Sequence, residues 1–302
     1  MPSNDSMSLA SVDARIRGML PALTAAERKV AEQVLAAPVL AAASTIAELA
    51  ARSGTSNAAV TRFCRAINLT GYAQLRLLLA AEAGREQSRA HGTAGWHTWS
   101  TDISSRIGPT DPLDQVLAGL VDIDTRALEE TAAQLDLAAV KKAVGLLAKA
   151  RRIDIYAVSG SAAAGLDMRL RLHHIGKVAF LWNDVHDAVA SAALLTRVDA
   201  ALAITHSGET REVTEPLAQA RQRGAATIAI TSFPRSPAAR AADVTLLTTV
   251  RETRFRPGTM SARHAQMLVL DFLYIGIAQR RYAAATKALE AVTDAVRAHR
   301  EG

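Results

Sequence analysis

Hydrophobic and polar positions follow two different patterns along the chain. In the first 86 residues, and again from Leu113 to Ala150, apolar residues recur every three or four positions, which is the spacing of amphipathic helices. From residue 152 onward, short apolar runs alternate with helical stretches. Strands buried on both faces and joined by crossover helices are typical of a parallel sheet. The pattern therefore predicts an all-α domain followed by an α/β domain with a doubly wound parallel sheet of about five strands.

Five apolar runs in the second half are predicted to be the strands. They are Ile153–Val158, Val178–Trp182, Ala200–Thr205, Ala226–Thr231 and Val244–Thr248. The helix after the third strand is expected to begin or restart near Thr214, because Pro216 is tolerated in a first turn but disfavoured in a helix interior. A last helix, from Arg263 to about Ala284, is apolar on much of its surface. That surface predicts packing against the sheet, a second subunit, or both.

The segment Ser44–Leu69 carries the most specific pattern of the first half. Thr45 and Glu48 form a T-x-x-E capping box, which marks the start of a short helix. Gly54 supplies a turn, and Ser56 can cap a second helix. The apolar side of that second helix consists of Val60, Phe63, Cys64 and Ile67. Two short helices joined by a tight turn are the arrangement that places one helix in a DNA groove.

The polar side of the second helix carries the chemistry that DNA recognition needs. Asn57, Thr61 and Arg65 recur every four residues, and Arg62 lies beside them. These side chains can hydrogen-bond to base edges and phosphates, and none is acidic. Together with Ser56 they are the candidate DNA-binding residues. An ordinary helical hairpin inside a core is the alternative, but the caps, the turn and the exposed chemistry together favour DNA binding.

Further helices flank this pair. A second capping box, Thr24 to Glu27, opens a helix that Pro38 is expected to end. Another amphipathic helix is predicted from Tyr72 to about Glu86.

Composition changes between the two halves. Residues 87–108 are rich in Gly, Ser and Thr and show no clear period, which predicts a linker. Trp96 and Trp99 lie in this stretch and are expected to pack on a neighbouring domain. The predicted domains are thus 1–86 for DNA binding and 109–302 for the α/β domain with its flanking helices.

Size and charge narrow the class of protein. The 302 residues are 49% hydrophobic, enough for two cores, and the net charge of +6 favours an anionic partner. The single cysteine, Cys64, excludes a disulfide within the chain and favours the reducing cytoplasm. The N-terminus has no signal-peptide pattern, and no apolar run reaches the roughly 18 residues of a membrane span. We therefore expect a soluble cytoplasmic protein with no membrane partner.

Two loops of the second half have the composition of a phosphate site. Ser159–Ala163 follows the first predicted strand, and His206–Thr210 follows the third. Ligands of open parallel sheets bind beyond the carboxyl ends of the strands. Backbone N–H groups at helix starts, together with hydroxyls, form a neutral cradle for phosphate, and Ser159 and Gly208 are candidates in it. Ordinary turn chemistry is the alternative for either loop alone, but two such loops on one sheet favour phosphate.

No dinucleotide fingerprint, P-loop or metal-ligand cluster occurs in the sequence. We therefore expect no nucleotide, no metal and no other cofactor.

With both halves considered, the chain resembles the RpiR family of bacterial transcriptional regulators, which join a helix-turn-helix domain to a SIS (sugar isomerase) domain. The resemblance rests on IAELAARSGTSNAAVTRFCRAINLTGYAQLR in the first half. In the second half it rests on IDIYAVSGSA, ITHSGETREV, GAATIAITSFPRSPAARAADVTL and SARHAQMLVLDFLY. The resemblance implies a regulator whose DNA affinity is controlled by a phosphorylated sugar or related metabolite. It also implies a homodimer or homotetramer that reads a palindromic operator in double-stranded DNA.

The resemblance also implies which residues hold the phosphosugar. They are Ser161 in the first loop and Thr205, Ser207 and Thr210 in the second. Two features depart from the family pattern. Ala157 and Ser159 stand where the first loop usually has glycines, and Thr205 stands where serine is usual.

Catalysis is the competing function, because SIS domains also occur in sugar-phosphate isomerases and in a sugar-acid etherase. Isomerisation needs a general base, usually Glu or His. The candidates are Glu209, His206, His173, His174 and His264. A loop carboxylate near a helix start and histidines at a helix end also have a simple electrostatic role. The sequence therefore favours a sensor with no catalytic residues over an enzyme.

Overall fold

The computed structural model describes residues 11–90, 111–250 and 258–301, and side chains within these ranges outside 83–90, 258–261 and 300–301. The chain divides into two compact units, Met1–Ile123 and Asp124–Gly302. Each unit has its own hydrophobic core. Most of the predicted linker, including Trp96 and Trp99, lies outside the described residues.

The first unit is helical throughout its described part. Its helices are α1 (Val12–Met19), α2 (Ala25–Ala36), α3 (Pro38–Ala43), α4 (Ile46–Arg52), α5 (Asn57–Ala66), α6 (Tyr72–Ala90) and the first half of α7 (Leu113–Gln134). A short 3₁₀ turn, Leu20–Ala22, joins α1 to α2. Helix α5 contributes Val60, Phe63 and Ile67 to the core, and all three side chains are fully buried. The predicted apolar side of the second helix is thus confirmed.

Local hydrogen bonds fix where these helices begin. The Thr45 hydroxyl accepts from the Glu48 N–H at 3.3 Å, and Glu48 Oε2 accepts from the Thr45 N–H at 2.7 Å. The corresponding box at Thr24 is also formed. Ser56 Oγ accepts from the Ala59 N–H at 3.3 Å, and Gly54 turns the chain with a φ of +58°. Both capping boxes, the cap of α5 and the turn are therefore confirmed.

Two details of the first unit differ from expectation. Pro38 follows the end of α2, but it also begins α3, because proline is favoured at the first helical position, where no N–H is needed. The hydroxyl of Tyr72 supports α3 by donating to the carbonyls of Ala41 and Ser44 at 3.2 and 2.8 Å. Helix α6 continues to Ala90, four residues past the predicted end.

The second unit is built on five parallel strands. They are β1 (Arg152–Tyr156), β2 (Val178–Trp182), β3 (Ala200–Ile204), β4 (Ala226–Thr231) and β5 (Val244–Leu247). The strand order is β2-β1-β3-β4-β5, and every pairing is parallel. This confirms the predicted fold class. The order changes direction between β1 and β3, which makes their carboxyl ends the topological switch point.

Helices cover both faces of this sheet. They are α8 (Leu137–Lys149), α9 (Gly160–His174), α10 (Val185–Ala193), α11 (Arg211–Gln222), α12 (Pro237–Ala241), α13 (Gly258–Arg280) and α14 (Tyr282–Glu301). Side chains of α8, α9 and α13 pack with Ile153 and Ile155 on one face. Those of α10, α11 and α12 pack with Tyr156 and Ala203 on the other. None of the described helices combines the length and the apolar character that crossing a membrane requires.

Three helices of the second unit differ from expectation. Helix α11 begins at Arg211, so Pro216 is its sixth residue and the predicted start near Thr214 is wrong. The backbone carbonyl of Thr210 accepts from the N–H groups of both Val213 and Thr214 at 3.0 Å. The first turn of the helix therefore forms before the chain reaches Pro216. The continuous helical stretch to Ala150 is broken between α7 and α8, where Asp136 accepts from two N–H groups as an N-cap.

The last predicted helix is also two helices. Helix α13 ends at Arg280, and α14 continues from Tyr282 well past the predicted end near Ala284. The expectation that its apolar surface packs against the sheet is confirmed by Leu270, Leu273 and Ile277, which lie in the core.

We expect Thr45→Ala to destabilise the first unit by about 1 kcal/mol, because it removes the cap of α4. The rate at which a thiol reagent labels Cys64 measures this loss of stability. The Cys64 thiol is fully buried, and burial raises its pKa to about 12, so a thiol reagent reaches it only when the unit opens. A loss of about 1 kcal/mol corresponds to about a fivefold faster labelling rate. Glu32→Gln, an exposed change on α2, is the control, and an equal rate in both variants would contradict the role of the cap.

Candidate functional site

The first candidate surface is the outward side of α5. Asn57, Arg62 and Arg65 are exposed there, next to the capping residue Ser56, and Thr61 is half-buried. The Thr61 hydroxyl donates to the Asn57 carbonyl at 3.1 Å, and its oxygen can still accept a hydrogen bond. All five side chains thus surround the amino-terminal half and outer side of one short helix.

The two arginines on α5 differ in their surroundings. Arg62 Nε lies 3.9 Å from Glu27 Oε1 of α2, so part of its charge is compensated. Arg65 forms no ion pair within the described part of the chain. Sequence periodicity placed both on the same helix, but it did not predict the contact between α2 and Arg62. The positive charge of Arg65 is therefore less compensated than that of Arg62.

The second candidate site lies at the carboxyl ends of β1 and β3. These strands are neighbours, with Tyr156 paired to Ala203. The loop after β1 leads into α9, and the loop after β3 leads into α11. Since adjacent strands lie about 4.8 Å apart, the two loops start side by side. The third N–H group of each helix, of Ala162 and of Val213, donates to the carbonyl of Ser159 or Thr210. The first two N–H groups of each helix have no such backbone partner among the described residues and are available to an anion.

The first loop is held in an unusual conformation. Ser159 has a φ of +53°, a region that favours glycine, which is the residue usual there in the family pattern. Ser161 follows in the first turn of α9 and is only 2% exposed. Its hydroxyl oxygen accepts from the Gln266 side-chain amide of α13 at 3.1 Å. Gln266 is itself fully buried. A residue 105 positions away thus fixes the rotamer of Ser161.

The second loop is fixed by its own hydroxyls. The oxygen of Thr205 accepts from the Gly208 N–H, and that of Ser207 accepts from the Glu209 N–H, both at 3.2 Å. Thr210 Oγ1 lies 3.5 Å from Thr205 Oγ1. Gly208 has a φ of +68°, and a Cβ placed on it would lie 2.1 Å from Ser236 Oγ. The backbone at Gly208 therefore passes directly against the loop that follows β4.

These contacts share a chemical consequence. Ser161, Thr205 and Ser207 each use the hydroxyl oxygen to accept a hydrogen bond from the protein. The hydroxyls of Ser161 and Ser207 still have their own hydrogens to donate. The Thr205 hydroxyl donates to Thr210 Oγ1 at 3.5 Å, so on this pair it is the Thr210 hydrogen that remains. Phosphate oxygens only accept, so hydroxyls arranged in this way suit a phosphate better than a cation.

A third loop, after β4, supports the second. Ser232 Oγ lies 3.0 Å from His206 Nδ1 and 2.9 Å from Thr248 Oγ1. The Thr231 hydroxyl donates to the His206 carbonyl at 3.0 Å. The ring of His206 is 8% exposed and contacts the edge of Phe233. His206 is thus anchored between strands and does not project from the loop.

Family models match both halves of the chain. The model of the helix-turn-helix domain of the rpiR family matches residues 10–86, and the SIS domain model matches residues 146–276. An HTH-type transcriptional regulator of Caldanaerobacter subterraneus is 32% identical over 93% of this chain and 95% of its own length. The HTH-type regulator YbbH of Bacillus subtilis is 28% identical over 94% and 96%. The chain belongs to the RpiR family of transcriptional regulators.

Solved structures show the same fold as this RpiR-family regulator. The NanR protein of Vibrio vulnificus, complexed with ManNAc-6P, has a TM-score of 0.57 and 23% identity, covering 94% of this chain and 97% of its own. The sugar isomerase domain of an RpiR transcription factor from Sphaerobacter thermophilus has a TM-score of 0.55 and 24% identity. It covers 60% of this chain and 99% of its own. The family models and the named relatives confirm the resemblance inferred from the sequence, and they show that this RpiR-family regulator is a DNA-binding protein.

The candidate bases of this regulator are dispersed. His173 Nε2 lies 2.7 Å from the Ala179 carbonyl at the edge strand, and His174 is exposed at the end of α9. His264 Nδ1 lies 2.9 Å from an Asp124 carboxylate oxygen. His206 is anchored as described above, and Glu209 is exposed. Of the five candidates, His206 and Glu209 therefore belong to the switch-point loops.

Sequence reasoning missed Gln266, Ser232 and Ser236 of this RpiR-family regulator. Gln266 lies within the segment SARHAQMLVLDFLY, which carries the family resemblance, but nothing in its helical spacing marks it as a partner of Ser161. Ser232 and Ser236 lie in an ordinary turn sequence after β4. Their contacts with His206 and Gly208 depend on the neighbouring positions of β3 and β4, which local sequence does not encode.

We expect Gly208→Ala to destabilise the second unit, because the left-handed backbone and the approach to Ser236 both exclude a Cβ. Strained positions of this kind cost about 1–3 kcal/mol. The thermal midpoint of the full-length protein measures this. Glu209→Gln is the matched control, since it changes an exposed side chain of the same loop without backbone strain, and its midpoint should stay near wild type. Equal midpoints for both variants would contradict the assigned packing.

Proposed function

We propose that this regulator binds a phosphorylated sugar, or a related phosphorylated metabolite, between the β1–α9 and β3–α11 loops. The observation that carries the proposal is the arrangement of Ser161, Thr205 and Ser207 at the switch point. The hydroxyl oxygens of Ser161 and Ser207 accept from the protein and keep their hydrogens for a ligand oxygen. Thr205 accepts from the Gly208 N–H and donates to Thr210, whose own hydrogen is left for the ligand. Ser159, Gly208 and Thr210 complete the proposed site.

The ligand class follows from the charge of the site. The hydroxyls and the backbone N–H groups are neutral donors, and each of α9 and α11 directs the positive end of its dipole toward the loops. A phosphate group matches this set of donors. NanR of Vibrio vulnificus, which has the same fold, has been solved in complex with ManNAc-6P, and this supports a phosphosugar as the ligand.

The reader in this proposal is residues 1–86, joined by residues 87–108 to a sensor of residues 109–302. Helix α5 would enter the major groove of double-stranded DNA. Asn57, Thr61, Arg62 and Arg65 would contact bases or phosphates, and the cap Ser56 would present its N–H group to a phosphate. A homodimer or homotetramer would place two reader helices on the half-sites of a palindromic operator.

Control of DNA affinity then follows from linkage. A ligand changes DNA affinity only if it binds more tightly to one of two arrangements for which DNA has different affinities. Coupling energies of this kind are typically about 1–3 kcal/mol, or about a 5- to 150-fold change in DNA affinity.

We propose that the protein is a sensor and not an isomerase or etherase. The named relatives are transcriptional regulators. The ring of His206 is buried with Nδ1 at 3.0 Å from Ser232 Oγ, and the carboxylate of Glu209 is exposed, which is the environment of an ordinary solvated carboxylate. Conversion of a phosphosugar by the purified full-length protein, followed by NMR, would contradict this part of the proposal.

We expect Arg65→Ala to weaken binding to the DNA upstream of this protein's own gene, because it removes a cation of α5 that has no ion pair among the described residues. If the contact is to phosphate, the slope of log K against log salt concentration should fall by about 0.9. Arg62→Ala should have a smaller effect, since Glu27 already compensates part of that charge. Lys29→Gln, an exposed change on α2, is the charge-matched control. Unchanged binding in both arginine variants would exclude α5 as the reader.

We expect Ser207→Ala to abolish the thermal stabilisation given by the best ligand in a panel of phosphorylated sugars. A ligand present at about 100 times its Kd stabilises the folded state by about 2.7 kcal/mol, so the shift is readily measured. Thr293→Ala is the control, because within the described part of the chain that hydroxyl bonds only to the Leu289 carbonyl of its own helix α14. A full stabilising shift in the Ser207 variant would remove this loop from the site.

A further inference from the structure

A cationic groove lies on the outer side of α8, away from the loops of the proposed ligand site. Its volume is about 390 Å³. It is lined by Ala138, Lys141, Lys142, Gly145, Leu146 and Lys149 of α8 and by Arg280 of α13. We call it the α8 groove. All four cationic side chains are exposed, and none of the lining residues is acidic.

The charge of the α8 groove is largely uncompensated. Lys142 Nζ donates to the Asp243 backbone carbonyl at 3.1 Å, which is a neutral acceptor. Within the described residues, Lys141, Lys149 and Arg280 form no ion pair. Gly145 lets the Arg280 guanidinium lie against the backbone of α8, since a Cβ there would be 2.7 Å from Arg280 Nη1. Four positive charges therefore converge on one face of one helix.

The distribution of charge between the two units points in the same direction. Residues 124–302 contain 24 Lys and Arg residues against 18 Asp and Glu residues, whereas residues 1–123 contain 11 of each class. The whole excess of +6 thus belongs to the second unit. The proposed reader, residues 1–86, contains 9 Lys and Arg residues against 7 Asp and Glu residues. Most of the Lys and Arg residues that could contact phosphates therefore lie outside the reader.

The shape of the groove favours an extended anion over a small one. The N–H groups in the middle of α8 are used within the helix, so the groove has no directional backbone donors of the kind that hold a single phosphate. Lysines act as mobile point charges and suit a repeating anion. Lys141 and Lys149 are eight residues apart, or about 12 Å along the helix. That distance spans about three phosphates of one DNA strand.

We propose that the α8 groove binds the phosphate backbone of DNA, as a contact separate from the reader helix α5. The contact is electrostatic and independent of base sequence, because the groove presents charge and no groups for reading base edges. This proposal depends on DNA binding by the reader, because DNA bound there is present at high local concentration for a second contact. Lys141, Lys149 and Arg280 are the residues that carry it.

The test compares the salt dependence of DNA binding by full-length variants. The probe is a fluorescent duplex of mixed sequence and about 40 base pairs, because non-specific binding is almost entirely electrostatic. Lys141→Gln combined with Lys149→Gln should lower the slope of log K against log salt concentration by about 1.8. The affinity at about 0.1 M salt should fall on the order of 10- to 100-fold. Lys142 and Arg280 are left unchanged because they contact neighbouring backbone.

The matched control is Arg223→Gln combined with Lys287→Gln, which removes two exposed charges of the same unit outside the groove. Thermal midpoints check that both double variants fold.

A lower slope in the groove variant alone supports the proposal, and an equal slope in groove variant, control and wild type overturns it. If the slope is unchanged but sedimentation shows an altered oligomer, the groove is a contact between copies and the proposal is again wrong. The Arg65→Ala variant distinguishes DNA binding by α5 from DNA binding by the α8 groove. Weaker binding in that variant tests the role of α5 and not that of the groove.

Discussion

The geometry of the candidate ligand site depends on one pairing, that of β1 with β3. The chain passes through α9, β2 and α10 between these strands, yet they lie side by side and parallel, with Tyr156 opposite Ala203. Their crossover helices leave on opposite faces of the sheet, since α9 packs with Ile155 and α11 with Ala203. The two loops must therefore diverge from one edge, and the space between them is available to a ligand. Any change that shifts this pairing would separate the hydroxyls of the two loops.

The pairing alone does not fix the hydroxyls, and tertiary contacts supply the rest. Ser159 keeps a positive φ although serine is disfavoured there, and Gly208 keeps one where a Cβ would collide with Ser236. Such conformations persist only when the surroundings hold them in place. Gln266 does this for the first loop through Ser161, and the contacts after β4 do it for the second. Both of these positions lie where the backbone would approach a phosphate in the proposed site.

The sequence predicted what depends on local chemistry. Capping boxes, the cap at Ser56 and the apolar spacing of α5 involve residues within one or two turns, and the structure has all of them. The strands were located because buried parallel strands are continuous apolar runs. Their ends were less accurate, as at β1, which stops at Tyr156 two residues before the predicted end.

What the sequence did not predict depends on partners distant in the chain. The Gln266–Ser161 contact joins two helices, and the Arg62–Glu27 contact joins α5 to α2. Helix and strand periodicity relate residues only a few positions apart, so neither contact could be predicted from the periodic pattern. Pro216 failed as a signal for a related reason, because the start of α11 is set by the hydrogen bonds of Thr210 and not by the proline. Tertiary context overrode a local preference at this position.

The same architecture limits how a ligand could act on the rest of the molecule. A phosphate held by both loops would contact the N-terminal ends of α9 and α11, which belong to opposite layers of the second unit. Helix α9 is tied to α13 by the ion pair of Arg171 with Asp271, and α11 is packed against α10 and α12. Because packed layers move between discrete arrangements and do not deform continuously, the ligand would select among arrangements of whole layers. The size of the response is then bounded by the difference in ligand affinity between those arrangements, however tightly the phosphate itself is held.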